Sequence, residues 1–470
     1  LRIFELKEKL KVVDLFSGCG GFSYGFHLAG FKVICAIDNW ATARDSILIN
    51  HGHEACDIKL SEKHRYDIEK ISKLPENEFN QVIPDSEIII GSPPCVSFSN
   101  SNRSGYINKD LGIRLIESFF RIVARKKERN NSILKYWIME NVPKSEPFIK
   151  DKYIFDGEVG YSKQAKSLIV DNIKGKHSGV YDCSDYGVPS KRLRYICGNF
   201  EKPIKSNKKI EELSLGTILR KLTLKDSDKL VQDPTWLDCK VKEQKITEHD
   251  YTHLIPKWHW LAAKRKKRDM GYMGRMAFPE NMQKVSRTIV SFGADSSREA
   301  FIFAHGNKQF RKPTIREYAT LMSFPLNFQF AGMSPRVKKK QIGNAVPPRF
   351  SYALARSIKK YRKSSNHFSK IINPKIKNFM DARDFKYEIP IDKKKKFNKI
   401  FDQHIPYLKV GGFRVVLDNR SSNFSKRRVK WNASIHKGSG KFKVVKPSIY
   451  ICEKNFQLSH SEIKKIGESF

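Results

Sequence analysis

Two hydrophobic signatures recur along the chain: short unbroken apolar runs and longer stretches with helical spacing. Val12-Val13-Asp14-Leu15-Phe16 predicts a short buried strand. The turn Ser17-Gly18-Cys19-Gly20-Gly21 follows, and Phe22 to Leu28 then has the spacing of a helix. Lys32 to Ile37 predicts a second strand ending in Asp38, and Cys56-Asp57-Ile58 a third strand end. Ser86 to Ile90 and Tyr136 to Met139 are further buried strands. The first runs into Gly91-Ser92-Pro93-Pro94-Cys95, the second into Glu140-Asn141-Val142-Pro143. Leu193-Arg194-Tyr195-Ile196 also reads as strand. Strand, glycine turn and helix in succession open a nucleotide-type α/β fold.

The chemistry follows from what ends each strand. Glycines let a backbone approach a ligand, and the next helix offers free N–H groups to an anionic group. A carboxylate about twenty residues on, Asp38, suits ribose hydroxyls. The loop does not match GxGxxG, although taken alone it suits a dehydrogenase about as well. Cys95 lies past a strand's C-terminal end, where open α/β sheets place their chemistry, on a rigid Pro-Pro turn. Its thiol needs a lowered pKa or transition-state help to act at neutral pH. The carboxyl of Glu140, at another strand end, is aimed at the same crevice.

Composition narrows the class. The chain has 470 residues, 40% of them hydrophobic and 29% charged, which suits two to four globular units and not a disordered chain. No apolar run approaches the ~20 residues of a membrane span, and no signal-peptide layout opens the chain. The eight cysteines form no CxxC pair or zinc spacing, so reduced thiols, no metal site and a cytoplasmic setting are expected. Lys and Arg total 89 against 49 Asp and Glu, a net charge of +40 that calls for a polyanionic partner. Residues 1–200 carry only +5, while 351–470 carry +20, half the excess.

In this order along the chain, six segments resemble the motifs of the DNA (cytosine-5) methyltransferases of bacterial restriction–modification systems. They are DLFSGCGGF at 14–22, GSPPCVSFS at 91–99, ENVP at 140–143, DYGVPSKRLRYI at 185–196, RKPTIREYATLMSFP at 311–325 and QIGNAVPP at 341–348. The resemblance implies a Rossmann-like S-adenosylmethionine-dependent methyltransferase fold with a smaller target-recognition domain and a basic C-terminal extension. The expected division is a catalytic domain at 1–200, closed by 311–362, a target-recognition region at 201–310 and the extension at 363–470.

The resemblance also assigns roles. Cys95 is the nucleophile that adds to carbon 6 of cytosine, and Glu140 holds ring nitrogen 3 and the exocyclic amine. Arg192 and Arg194, alternating on a strand and so facing one side, offer donors to the base, to phosphate or to Glu140. For S-adenosylmethionine, Phe16, Ser17, Gly18 and Gly20 border the methionine part and Asp38 takes the ribose. Asp57 and Ile58 meet the adenine, and Asn344 and Val346 pack back against the cofactor. The target must leave the duplex, and loop 97–112, with Arg103 and Lys109, is the expected lid.

In 201–310, Lys264, Arg265 and Arg268 of KRKKR are candidate phosphate contacts, and Tyr272 and Arg275 candidate base readers. Strands at 411–417 and 441–445 flank Lys426-Arg427-Arg428, a basic β-rich module expected to grip DNA. Double-stranded DNA, a cognate restriction endonuclease, no membrane and a monomer complete the expectation. A transfer-RNA cytosine methyltransferase and a catalytically silent DNA-binding relative are the alternatives.

Overall fold

The computed structural model describes residues 9–51, 66–94, 98, 109–155, 167–222, 224, 227–249, 253–268, 275–291, 293–306 and 309–360, together with the backbone of 402–410, 413–418, 432–437 and 444–445. Two compact units are formed, Leu1–Phe379 and Met380–Phe470.

The first unit is built on a mixed six-stranded sheet. In chain order it contains β1 (Lys11–Leu15), α1 (Gly21–Leu28), β2 (Lys32–Ile37), α2 (Ala41–His51), β3 (Ile88–Gly91), α3 (Lys109–Lys127), β4 (Tyr136–Asn141), β5 (Gly179–Asp182) and β6 (Leu193–Asn199). The strand order is β2-β1-β3-β4-β6-β5. The first four strands are parallel, as their buried apolar runs require. The β5–β6 pair runs antiparallel at the edge, β6 beside β4.

Alternate strand residues feed two cores. Val13, Leu15, Ile89 and Met139 pack beneath α3 with Phe119, Phe120 and Val123. Val12, Ile88, Ile90, Ile138 and Ile196 pack on the opposite side with Phe22, Phe26, Phe350 and Leu354. That second side brings α1 against the chain's closing helix, Pro348–Lys360. The helices approach closely at Gly25, where an added Cβ would stand 2.4 Å from Ser351. Ser351 Oγ donates to Phe22 O at 2.5 Å.

A third cluster joins Cys19, Tyr24 and Leu28 to Trp236, Ile289, Phe301, Phe324 and Ile342. Parts of 201–310 therefore share a core with α1 and the closing motifs. Cys19, Cys183, Cys197 and Cys239 are buried free thiols. Cys35, by contrast, is disulfide-bonded, its partner outside the described residues. The expectation of wholly reduced thiols is corrected there, because proximity in the fold and not sequence spacing decides pairing. No helix among the described residues is long and apolar enough to cross a membrane.

Among the described residues the second unit holds four antiparallel strands, β7 (Asp402–Val410), β8 (Phe413–Asp418), β9 (Asn432–Lys437) and β10 (Val444–Val445), in sequential order. The two strands expected near 411–417 and 441–445 are β8 and β10. Lys426, Arg427 and Arg428 lie outside the described residues.

Candidate active site

Where β1 ends, the backbone turns sharply. Phe16, Gly18 and Gly20 take φ of 57°, 55° and 88°, a region glycine enters without strain. The Gly18 N–H donates to Asp38 Oδ2 and the Trp40 N–H to Asp38 Oδ1, both at 2.8 Å. Arg44 Nη1 donates to the Asp38 carbonyl at 2.8 Å. Burial raises the Asp38 carboxyl above its ordinary pKa; the two N–H groups, Arg44 and Lys340 work against that.

The loop is open on one side and closed on the other. A Cβ on Gly18 would meet nothing within 4 Å. One on Gly20 would stand 2.8 Å from His51 Nε2, and one on Gly21 2.3 Å from Val346 O. Two buried oxygens here, Ser17 Oγ and Asp14 Oδ1, have no hydrogen-bond partner among the described residues. The other Asp14 oxygen accepts from Ser23 N and Oγ. An open glycine, a positioned carboxylate and an orphaned hydroxyl fit a nucleoside bearing an amino-acid tail. Ser17, Gly18 and Asp38 line that opening. Gly20 and Val346 form its closed back, and Asn344 is exposed at the end of α5 (Pro335–Asn344). Asp57 and Ile58 lie outside the described residues.

Sequence reasoning missed Trp40 and Lys340. The indole stands two residues after Asp38, with Lys340 Nζ 4.5 Å from its ring centre. An aromatic two residues after the Asp38 carboxylate was the available signal.

The catalytic crevice lies beside this loop. Past β3, Ser92 N donates to Leu15 O at 3.2 Å and Ser92 Oγ to Phe16 O at 3.2 Å, tying the segment before Cys95 to the glycine turn. Asn141 Nδ2 donates to Pro93 O at 3.2 Å and ties the same segment to β4. Cys95 itself, with 96–97 and 99–108, lies outside the described residues, which also removes Arg103. Glu140, only 5% exposed, is the penultimate residue of β4, and Arg194 projects from the adjoining antiparallel β6. Arg194 Nε meets Glu140 Oε1 at 2.7 Å.

Arg192 and Arg194 are both buried, as their alternation predicts, with Leu193 exposed between them. They do not share a task. Arg192 Nη1 donates to Ile289 O at 3.2 Å, and Nη2 to Gly343 O and Ala345 O at 2.9 and 3.0 Å. Of the partners expected for the two arginines, base, phosphate or Glu140, Glu140 is met by Arg194 and not by Arg192. It stands just before β6 begins, where its reach is to the Gly343–Ala345 turn and not to Glu140.

The basic run KRKKR lies on α4 (Lys257–Arg268), and its five cations divide. Arg265 and Arg268 are exposed, and Lys264 is half-buried with its ammonium 5.9 Å from the Phe278 ring. Lys267 is buried against Glu280 at 2.6 Å, and burial lowers its pKa. Lys266 Nζ donates to Ser296 O at 2.7 Å. Trp260 packs on Phe278 and Phe310 as a core residue. Arg275 is exposed, and Tyr272 lies outside the described residues.

Residues 10–360 match the model of the C-5 cytosine-specific DNA methylase family. The chain is similar to the type II methyltransferase M.NgoFVII of Neisseria gonorrhoeae, 30% identical over 75% of this chain and 87% of that one. It is 27% identical to M.HindV of Haemophilus influenzae over 75% and 98%. Among solved structures, the S. pombe Dnmt2 methyltransferase is 16% identical with a TM-score of 0.43, covering 75% of this chain and all of that one. By the match over residues 10–360 the chain belongs to the C-5 cytosine-specific DNA methylase family. It is a DNA (cytosine-5) methyltransferase that uses S-adenosylmethionine as methyl donor.

Proposed function

We propose that the chain methylates a cytosine swung out of a specific duplex sequence, as the modification half of a type II restriction–modification system with a cognate endonuclease. The observation that carries this reading is the Glu140–Arg194 pair at 2.7 Å, beside a segment tied at Ser92 to the glycine turn.

Carbon 5 of cytosine is a poor nucleophile. The Cys95 thiolate adds to carbon 6, forming a carbon–sulfur bond and moving the ring's electron pair toward carbon 5. Glu140 hydrogen-bonds nitrogen 3 and the exocyclic amine, where charge shifts as the thiolate adds. Arg194 fixes the Glu140 carboxylate and offers a donor to the base carbonyl. S-adenosylmethionine supplies a sulfonium methyl group when bound. Once carbon 5 is methylated, a water takes its proton, and the returning electron pair expels the thiolate.

Phe16, Ser17, Gly18 and Gly20 border the cofactor's methionine part, Asp38 its ribose, and Asp57 with Ile58 its adenine. Asn344 and Val346 support that loop from behind. Extrusion of the base costs a few kcal/mol, offset by lid and phosphate contacts; Arg103 belongs to that lid. Region 201–310 reads the target. Lys264, Arg265 and Arg268 take phosphates, and Tyr272 and Arg275 reach the bases. The 363–470 extension grips the backbone. Lys409, Arg414 and His436 form one cross-strand row in its sheet, a register that supports this. The enzyme acts as a cytoplasmic monomer on nucleoid DNA.

The test is transfer of labelled methyl from S-adenosylmethionine. Duplex DNA takes label and transfer RNA does not. Label on RNA alone, or on neither substrate, contradicts the reading.

A further inference from the structure

Two cations meet at the turn Asp233–Trp236, a platform whose own polar groups are held. Asp233 Oδ1 accepts the Thr235 and Trp236 N–H groups at 2.8 and 2.9 Å, and Asp233 Oδ2 accepts the Leu326 N–H at 2.8 Å. Trp236 is completely buried, and its Nε1 donates to Ser323 O at 2.9 Å. The same Ser323 receives the Arg349 backbone N–H on its Oγ at 3.0 Å. The Arg349 guanidinium is thereby laid over the indole, 4.6 Å from its ring centre.

That guanidinium donates to no acceptor among the described residues. Nε is shielded and unpartnered. Arg349 is half-buried; the buried Arg125, Arg192 and Arg316, by contrast, each donate to two or more acceptors. A second cation joins from the other side of the same turn, where Lys208 Nζ donates to Thr235 O at 3.3 Å. Ser206 borders the space: a Cβ on Gly187 would stand 3.3 Å from Ser206 Oγ and 3.5 Å from Arg349 Nε.

Asp233, Asp238 and Glu212 favour the charged cations from a distance, but none forms an ion pair with either among the described residues. Asp233 is spent on backbone donors, and Asp238 is exposed, with no ion pair among the described residues. Burial first, then Arg349 and Lys221, lowers the Lys208 pKa to about 8. Burial lowers that of Arg349 as well. Two cations are thus held together at a cost, and one has its donors unspent.

We propose that Arg349 and Lys208 form a binding site for a phosphate group, with the guanidinium as the directional donor and the lysine as a point charge. A planar guanidinium fixed on an aromatic face, next to an ammonium, matches a tetrahedral oxyanion. The phosphate belongs either to the duplex backbone or to a free phosphorylated molecule, and one pair of measurements separates these sources.

The first measurement follows the melting temperature of the full chain as inorganic phosphate replaces chloride at constant ionic strength. The second follows duplex affinity against salt, for wild type, Arg349→Gln and Lys208→Gln. Each phosphate neutralised contributes about 0.9 to the slope of log affinity against log salt. If the group is a backbone phosphate, each variant lowers that slope by about 1. If it is a free phosphate, the slope holds and the phosphate-dependent rise in melting temperature disappears in both variants. Lys208 is half-buried at the rim, so Lys208→Gln keeps the test open should Arg349→Gln fail to fold. Variants that fold and keep both the wild-type slope and the wild-type phosphate response overturn the proposal. Methyl transfer at saturating duplex stays near wild type in either supporting case, which separates this site's failure from that of the crevice.

Discussion

Arg194 holds the Glu140 carboxylate from the neighbouring antiparallel strand, Nε to Oε1 at 2.7 Å, and braces itself with Nη1 on its own Leu193 carbonyl at 2.7 Å. A guanidinium anchored at both ends fixes where the carboxylate points. Lysine reaches Glu140 but cannot make both bonds. Arg194→Gln is therefore expected to lower the single-turnover rate of methyl transfer by about 10²-fold, and Arg194→Lys by less. Equal rates for Gln and wild type would remove the pair from the chemistry.

Arg192 does other work. Its three carbonyl partners join the start of β6 to Ile289 and to the Gly343–Ala345 turn. Arg192→Met leaves those buried carbonyls without their donor, a loss of about 3 kcal/mol in denaturant unfolding. The single-turnover rate at saturating cofactor should change far less than in Arg194→Gln. The reverse pattern, a stable protein with a collapsed rate, would return Arg192 to the catalytic group.

Behind the glycine turn, His27 and His51 lie 6.4 Å apart, with Tyr24 against both. Burial, reinforced by Lys9, lowers His27 to about 4. Burial, reinforced by His27 and opposed by the Gly20 carbonyl, lowers His51 to about 3. Their unfolded value is 6.5, so below pH 6.5 the unfolded chain binds more protons. Their contribution is complete above pH 6.5 and is lost as pH falls toward 4, at roughly 1 kcal/mol per histidine per pH unit. Asp14, raised by burial to about 7, acts in the opposite sense, since its neutral form is favoured in the folded chain below pH 7. Melting temperatures between pH 7 and 5 should decline less in His51→Gln than in wild type. An unchanged decline would refute the assignment.

On α4 the exposed pair Arg265 and Arg268 face outward while Lys267 is locked to Glu280. Arg268→Gln should weaken all duplexes alike and lower the salt slope by about 1. Lys267→Gln should instead lower stability by 3–5 kcal/mol, the usual loss on breaking a buried pair. A salt slope altered by Lys267 but not by Arg268 would exchange their roles.

The parallel strands were legible because buried strands are written as short apolar runs, Val12–Leu15 (broken only by Asp14) and Ile88–Ile90 among them. The edge strand β5 was not, since Gly179-Val180-Tyr181-Asp182 carries too little apolar pattern to separate a strand from a turn. Motif residues showed where Glu140 and Arg194 lie in sequence, and the fold shows that they meet. Strand alternation gave the face of Arg192 but not its partners, which come from 97 and more than 150 residues away. Within KRKKR, charge alone hides which lysine turns inward, because only Ala263, one helical turn before Lys267, marks the buried face.

The central claim is a temporary bond between the Cys95 sulfur and carbon 6 of an extruded cytosine. Its most direct measurement uses duplex DNA with 5-fluorocytosine at the modified position, incubated with the protein and S-adenosylmethionine. Fluorine cannot leave as a proton does, so the account predicts a denaturation-resistant protein–DNA adduct that forms with wild type and is absent in Cys95→Ala. No adduct from wild type that methylates ordinary duplex, or an adduct that persists in Cys95→Ala, would contradict it.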